Sequence, residues 1–440
     1  MKQKKMSSYY LLIGGLTVSM LGSSLSGFGI CLWILDHHDS VSLFTLTAAG
    51  MTLPNLLISP FAGAMADRWS RKKVLAWSQL ISAVCSMIMF VLYLNDALTV
   101  WYILSVGVIG VMASAFRIPA LAASVALMVP KDQLPRANTV RSLGFGLAQL
   151  LGPAMAGFLI VAIGLEGLFV IDLLTFMVGI VAILLIYIPS PPEKIDEGKE
   201  GEGVLAQMKF GLNYLLDRKG LFWLLIFYFF VSFNVSSIMV LFMPLVRPFA
   251  TQEEIGMLMS FTGVGLGLGS AIAFLWRSIE HKIRIVLGLS ALLSLVLIAA
   301  PVVPSIYAVG ASLFIIVLLF PSVTALSQTI WQQKVALGVQ GRVFGFRAAI
   351  VGASTPMAYL LSGIFADQIF EPLMAPGGGL EATLGQVYGV GKGRGIALLV
   401  SVYGALLLVV SSLAYLNPRI RNIEKELPDF DYNEVETVKA

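Results

Sequence analysis

Gly63-Ala-Met-Ala-Asp67-Arg68-Trp-Ser-Arg71-Lys72-Lys73-Val-Leu75 is a charged island between two uncharged apolar stretches, roughly 41–65 and 74–94. A stretch of about 20 apolar residues is what a helix needs to cross a ~30 Å hydrocarbon layer. An apolar run, a basic loop and a second apolar run is the pattern of a polytopic membrane protein, and the remainder of the 440 residues repeats it. Hydrophobic residues make up 58% of the chain and charged ones 12%, against about 45–50% and about 25% in ordinary soluble proteins. That surplus has no place in a soluble core, so nucleic-acid-binding and soluble-enzyme classes are excluded.

Outward from this island, hydropathy divides the chain into twelve expected spans: 10–35, 41–65, 74–94, 98–118, 140–164, 167–188, 221–246, 256–276, 285–303, 306–330, 344–370 and 395–416. The N-terminal Met1-Lys-Gln-Lys-Lys5 begins like a signal peptide, but the run after it is too long and lacks a small-residue cleavage site, so it reads as a retained helix. Lysine and arginine test the alternation. One set of connections, including both termini, holds 24 of them, and the other holds Arg247, Lys392 and Arg394. The positive-inside rule then makes the first set cytoplasmic, with both termini inside.

The longest polar interruption between spans is Pro189-Ser-Pro-Pro192 followed by Glu193-Lys-Ile-Asp-Glu-Gly-Lys-Glu-Gly-Glu-Gly203, rich in breakers and charge. Leu205, Met208, Leu212 and Leu215/Leu216 then recur at helical spacing, as in an amphipathic helix at the inner membrane surface, acting as a tether or in docking. The expected organisation is a six-helix bundle over 1–188, a cytoplasmic linker over 189–220, a second six-helix bundle over 221–416 and a cytoplasmic tail over 417–440. Arg141-Ser-Leu-Gly-Phe145 and Arg342-Val-Phe-Gly-Phe346 open the fifth and eleventh spans, the echo a duplicated unit would leave.

Several chemistries have no residues to support them. Cys31 and Cys85 lie in apolar runs, and His37, His38 and His281 fit no metal-ligand spacing. No cofactor and no metal are expected, and no glycine-rich phosphate loop supplies ATP hydrolysis, so energy comes from a gradient or a partner. Among the acidic residues, Asp172 lies about five residues inside the outer end of the sixth span, and Asp36 and Asp367 lie at the outer ends of the first and eleventh. A carboxylate in hydrocarbon is a functional candidate because its charge is costly there. Protonation lowers that cost, so Asp172 is the leading proton carrier, with Asp36 and Asp367 behind it. Arg117, 18 residues below Thr99 and so about 27 Å down a helix, either snorkels to the inner interface or takes part in coupling.

The 63–75 island resembles the loop signature of the major facilitator superfamily, G-x-L-A-D-R-x-G-R-[KR]-x-x-L. Gly63, Ala66, Asp67, Arg68, Arg71, Lys72 and Leu75 match, while Met65 replaces Leu and Ser70 replaces the second Gly, which loosens the turn. Phe116-Arg-Ile-Pro-Ala120, Val129-Pro-Lys-Asp-Gln-Leu134, Gly152-Pro-Ala-Met-Ala-Gly157, Gly341-Arg-Val-Phe344 and Ile364-Phe-Ala-Asp-Gln-Ile-Phe-Glu-Pro-Leu373 follow in order. Together they resemble the bacterial branch with macrolide-efflux proteins and siderophore exporters, from the first span to the last. The piece at Gly152-Pro153…Gly157 also resembles the fifth-helix signature of antiporters, with altered spacing to its last glycine; simple helix packing is the alternative.

The resemblance implies an all-α membrane protein of two pseudo-symmetric six-helix bundles that works by alternating access. It implies that Asp67, with Gly63, Arg68, Arg71 and Lys72, is a latch against the start of the eleventh span. It places the first, fourth, seventh and tenth spans around the cavity, which makes Ser23, Ser26, Phe116, Phe230, Asn234, Gln328 and Trp331 candidate cargo contacts. It implies proton antiport, with one departure: Gly110 stands where many drug exporters of the superfamily carry a coupling arginine. The expected activity is export of a hydrophobic or amphipathic small molecule across a bacterial inner membrane by a monomer, with the bilayer and a proton gradient as its other partners. Export of a siderophore or peptide metabolite is the nearest alternative. A lipid translocator and a non-transporting sensor are the rivals of other classes, and the short tail after Leu416 counts against the sensor.

Overall fold

A backbone N–H or C=O left unpaired in hydrocarbon costs several kcal/mol, so apolar segments this long fold as helices that satisfy themselves internally. The computed structural model describes residues 6–426 apart from 39, 69, 131–132, 189–203, 277–278 and 337–338, and leaves the side chains of 59–68, 122–123, 126–127, 134–135, 204–205 and 207 undescribed. In chain order the helices are α1 (Met6–His37), α2 (Val41–Arg68), α3 (Arg71–Leu94), α4 (Val100–Met128), α5 (Leu134–Leu185), α6 (Val204–Asp217), α7 (Lys219–Val246) and α8 (Gln252–Leu275). Then come α9 (Lys282–Ala299), α10 (Ile306–Lys334), α11 (Gln340–Phe365), α12 (Glu371–Met374), α13 (Gly385–Tyr388), α14 (Arg394–Leu416), α15 (Pro418–Arg421) and α16 (Ile423–Glu426). No strand occurs among the described residues.

Eleven of these helices are long and apolar enough to cross a membrane, where the sequence led us to expect twelve spans. The difference lies in α5. It runs for 52 residues, and its Gly164 has φ 68° and ψ −177°, a backbone that favours glycine. An unbroken helix of that length would reach about 78 Å. Its packing against α1 shows that the chain reverses at Gly164. Thr17 and Ser24 of α1 meet Gly144 and Gly152 in rising order, whereas Gly15, Gly22 and Gly29 meet Ala182, Thr175 and Leu168 in falling order. The two limbs of α5 are therefore antiparallel and both lie along α1.

The chain forms two compact units. The first comprises 1–197 with 249–264, and the second comprises 198–248 with 265–440. In the first, Tyr9, Leu12, Leu16, Val74, Leu75, Leu121, Val125 and Ile183 close an apolar core at one end of α1, α3, α4 and α5, where the Tyr9 hydroxyl donates to the Ala137 carbonyl at 2.5 Å. Gly256 of α8 comes so close to α5 that an added Cβ would meet the Pro153 carbonyl and the Gly157 backbone. That crossing, of the kind small residues permit between membrane helices, gives Gly152-Pro153…Gly157 a packing role. Thr251 and Glu254 set the start of α8 by a reciprocal cap: Thr251 Oγ1 accepts from Glu254 N–H at 3.2 Å, and Glu254 Oε2 accepts from Thr251 N–H at 2.9 Å.

In the second unit α6 packs on α11 rather than standing apart in the linker. Gly211 sits against Phe346, Arg342 lies 5.1 Å from the Phe210 ring centroid, and Leu215 is fully buried. The start of the expected tail is docked as well. Glu424 of α16 accepts from the N–H groups of Lys282 and Ile283 at 3.1 and 3.2 Å, capping α9, while its carbonyl accepts from Lys334 Nζ at 2.8 Å. Glu371 caps α14 in the same manner through the N–H groups of Gly393 and Ile396, which is the structural use of the 364–373 motif.

Candidate functional site

Glycines decide where the first unit places its acid. Gly15, Gly22 and Gly29 recur every seven residues on α1 and let it approach the second limb of α5; a Cβ at Gly22 would meet Thr175 and the Asp172 backbone. This contact seats Asp172 against the serine face of α1. Ser23 Oγ donates to Asp172 Oδ1 at 3.2 Å, and Ser26 Oγ donates to Oδ2 at 2.8 Å. Ser86 Oγ of α3 adds a third bond to Oδ2 at 2.8 Å. Asp172 is 2% exposed, and among the described residues no cation lies within ion-pair distance of it. It stands eight residues past Gly164, about 12 Å along the limb, deeper than the sequence led us to expect.

A second set of bonds continues from this acid. Ser23 Oγ also reaches the Ser19 carbonyl at 3.2 Å. Ser19 Oγ accepts from Gln79 Nε2, and Gln79 Oε1 accepts from Arg117 Nη1 at 3.2 Å. The guanidinium of Arg117 thus points to a fully buried glutamine inside the bundle, so of the two alternatives snorkelling is not the one the structure has. Polar groups from α5, α1, α3 and α4 form one line from Asp172 to Arg117. Uncharged polar side chains are common in membrane helices, so Gln79 and Ser86 carried no signal of their own in the sequence.

The second unit buries a cation. Arg347, about two turns into α11, is 8% exposed. Its Nη1 donates to Gln328 Oε1, and its guanidinium carbon lies 5.0 Å from the Trp331 ring centroid and 5.4 Å from that of Tyr228. Tyr228 donates its hydroxyl to Thr324 Oγ1 at 2.9 Å. The signal for Arg347 in the sequence is its place inside the apolar run that begins at 344.

The remaining candidates are dispersed. Ser23 and Ser26 are engaged with Asp172, and Gln328 and Trp331 with Arg347. Phe230 pairs with Phe229 at 5.8 Å, and its carbonyl accepts from Asn234 Nδ2 at 2.8 Å. Phe116 lines a groove of about 700 Å³ between α3 and α4, with Trp77, Ile81 and Met112. Asp36 is exposed and accepts from Gln252 Nε2 at 3.4 Å, and Asp367 lies in a π-helical turn over Ala366–Phe370. Of the expected latch, Gly63, Asp67 and Arg68 form the last turns of α2, and their side chains lie outside the described residues. Lys72 has another partner: its Nζ donates to the carbonyls of Leu184 and Ile186 at 2.9 and 2.7 Å, a cation at a helix C-terminus.

The model of the family described as Major Facilitator Superfamily matches residues 11–369. The chain belongs to that superfamily. Its members are transporters rather than enzymes, so the chain is a multi-pass membrane transporter acting on a small molecule. Macrolide efflux protein A of Streptococcus pyogenes is 23% identical over 372 residues, spanning 82% of this chain and 90% of the relative. The putative bacilysin exporter BacE of Bacillus subtilis (strain 168) is 22% identical over 387 residues, spanning 85% and 92%. Among solved structures, an inward-facing, unoccupied bacterial homologue of the human lysosomal transporter Spinster aligns with TM-score 0.70 at 13% identity, covering 98% of this chain and 100% of that one. The nucleoside transporter NupG aligns with TM-score 0.65 at 13% identity, covering 92% and 98%. At those identities the structural likeness speaks for the fold alone.

Proposed function

We propose that this transporter exports a hydrophobic or amphipathic small molecule by proton antiport through alternating access, with Asp172 as the proton carrier. One observation carries the reading: a carboxylate in the middle of a helix bundle, held by three serine hydroxyls and by no cation among the described residues. A structural acid in hydrocarbon is ordinarily paired. Hydroxyls, in contrast, donate to an ionised carboxylate and accept from a protonated one, so this cage serves both states. Arg117, joined through Gln79 and Ser19, is the positioning partner at the other end of the line. Outward direction and cargo type draw on the relatives named for macrolide efflux. The relatives named for bacilysin export favour a second reading, in which the cargo is a siderophore or a peptide metabolite that the cell itself makes.

Twelve crossings follow if both limbs of α5 span the bilayer, and the 24-to-3 bias of cationic residues then puts both termini in the cytoplasm of an inner-membrane protein. In this reading the chain works as a monomer, the bundles of 1–188 and 221–416 are its moving halves, and Gly63, Asp67, Arg68, Arg71 and Lys72 form the latch. The test uses inverted membrane vesicles and radiolabelled erythromycin as the macrolide probe. The wild type should accumulate the probe when the lumen is acidified and stop when the gradient is collapsed. Asp172→Asn should bind the probe and show no gradient-driven uptake. Full uptake by that variant at equal expression would remove Asp172 from the mechanism.

A further inference from the structure

The groups around Arg347 have many hydrogens to donate and few acceptors to receive them. Arginine carries five N–H donors, and the bond to Gln328 uses one of them. Trp331, fully buried beside it, has an indole Nε1 with no hydrogen-bond partner, and so does the hydroxyl of buried Ser327. Thr324, Ser327, Gln328 and Trp331 fall at i, i+3, i+4 and i+7 of α10 and so share one face of that helix. Among the described residues no carboxylate lies within ion-pair distance of Arg347. Two aromatic rings offset part of the cost of the buried charge, yet they accept none of the orphan hydrogens. Buried donors without acceptors are unusual in a folded protein and call for an explanation.

We propose that the Arg347 cluster binds an anionic group, a carboxylate or a similarly planar oxyanion, on the molecule that the protein carries. The inference rests on the export reading above and names the chemistry of its cargo. A carboxylate on the planar guanidinium fork takes two N–H groups at once. It gives the Trp331 N–H an acceptor and neutralises the buried guanidinium of Arg347. Tyr228 and Trp331 supply flat apolar surface for the body of an amphipathic ligand. Thr324 and Gln328 are only part-buried, so the cluster is reached from that side. The preferred cargo is then an amphipathic acid or zwitterion, and a neutral amide of the same shape is a poorer ligand.

The test compares 1-pyrenebutyrate with its neutral amide, 1-pyrenebutanamide, titrated into the purified full-length protein and followed by energy transfer from tryptophan to pyrene. Wild type should bind the acid about tenfold more tightly than the amide, the scale of one charge-assisted hydrogen bond. Arg347→Gln should abolish the preference by weakening the acid alone, and Arg347→Lys should restore part of it, since the charge remains but the fork does not. Trp331→Phe keeps a ring for the cation and removes the N–H; it should lower the preference several-fold and serves if Arg347→Gln does not fold. No preference in the wild type, or an undiminished preference in Arg347→Gln or Trp331→Phe, would overturn the site. Equal loss of both ligands in a folded Arg347→Gln would overturn it too, by reducing Arg347 to a helix clamp. The titration needs no gradient, so a preference without gradient-driven uptake defeats proton antiport alone, and uptake without a preference defeats this site alone.

Discussion

Among the described residues, Asp172 in the first unit and Arg347 in the second are buried with no opposite charge within ion-pair distance, and the two units solve the resulting problem differently. The first holds Asp172 with hydroxyls, and the second holds Arg347 with an amide oxygen and two rings. A hydroxyl donates or accepts as required, so the serine cage tolerates a carboxyl in either protonation state. Arginine stays charged in proteins, and its rings and amide stabilise a cation only. The acid is therefore suited to gaining and losing a proton, and the base to waiting for an anion.

The largest expected effect separates the two charges. Asp172→Asn should abolish gradient-driven erythromycin uptake, whereas Arg347→Gln should leave the gradient dependence in place and alter which cargo is preferred. If both variants lost gradient dependence equally, the division of labour would be broken. A smaller effect tests the repeat itself. Gly144 and Gly345 are equivalent in the R-x-x-G-F echo, but a Cβ at Gly144 would meet Thr17, whereas Gly345 faces open space. Gly144→Ala should lower stability by about 1–3 kcal/mol through overpacking, and Gly345→Ala should be neutral or add up to about 1 kcal/mol from helix propensity. Thermal unfolding in detergent reads both, and equal effects would show that the echo reflects equivalent packing after all. The smallest effect concerns the docked tail: Glu424→Ala removes the cap of α9 and should cost about 1 kcal/mol, with uptake unchanged.

The helices were legible in the sequence because hydrophobic length and cationic loops are direct consequences of the bilayer. The break between the expected spans 140–164 and 167–188 was legible too, since Glu166 and Gly167 interrupt the apolar run just where Gly164 reverses α5. Asp172 stood out because an acid in an apolar run is rare, but its depth depended on where the chain turned. Arg117 and Arg347 were hard to read for a shared reason. Both lie near the ends of the expected spans 98–118 and 344–370, where an arginine ordinarily snorkels to water, and only the packing of Gln79 against one and Tyr228 and Trp331 against the other turns them inward. The latch rests on the resemblance, since the side chains of Gly63, Asp67 and Arg68 lie outside the described residues.

The most direct test of the central claim is proton release on binding. Purified protein in weakly buffered detergent is mixed with saturating erythromycin at a pH where Asp172 is protonated in the free protein, and a pH indicator records the protons set free. Antiport through Asp172 predicts about one proton released per wild-type molecule on cargo binding and none from Asp172→Asn, although the variant still binds. Equal proton release from both proteins, or binding by the wild type without release at any pH, would contradict it.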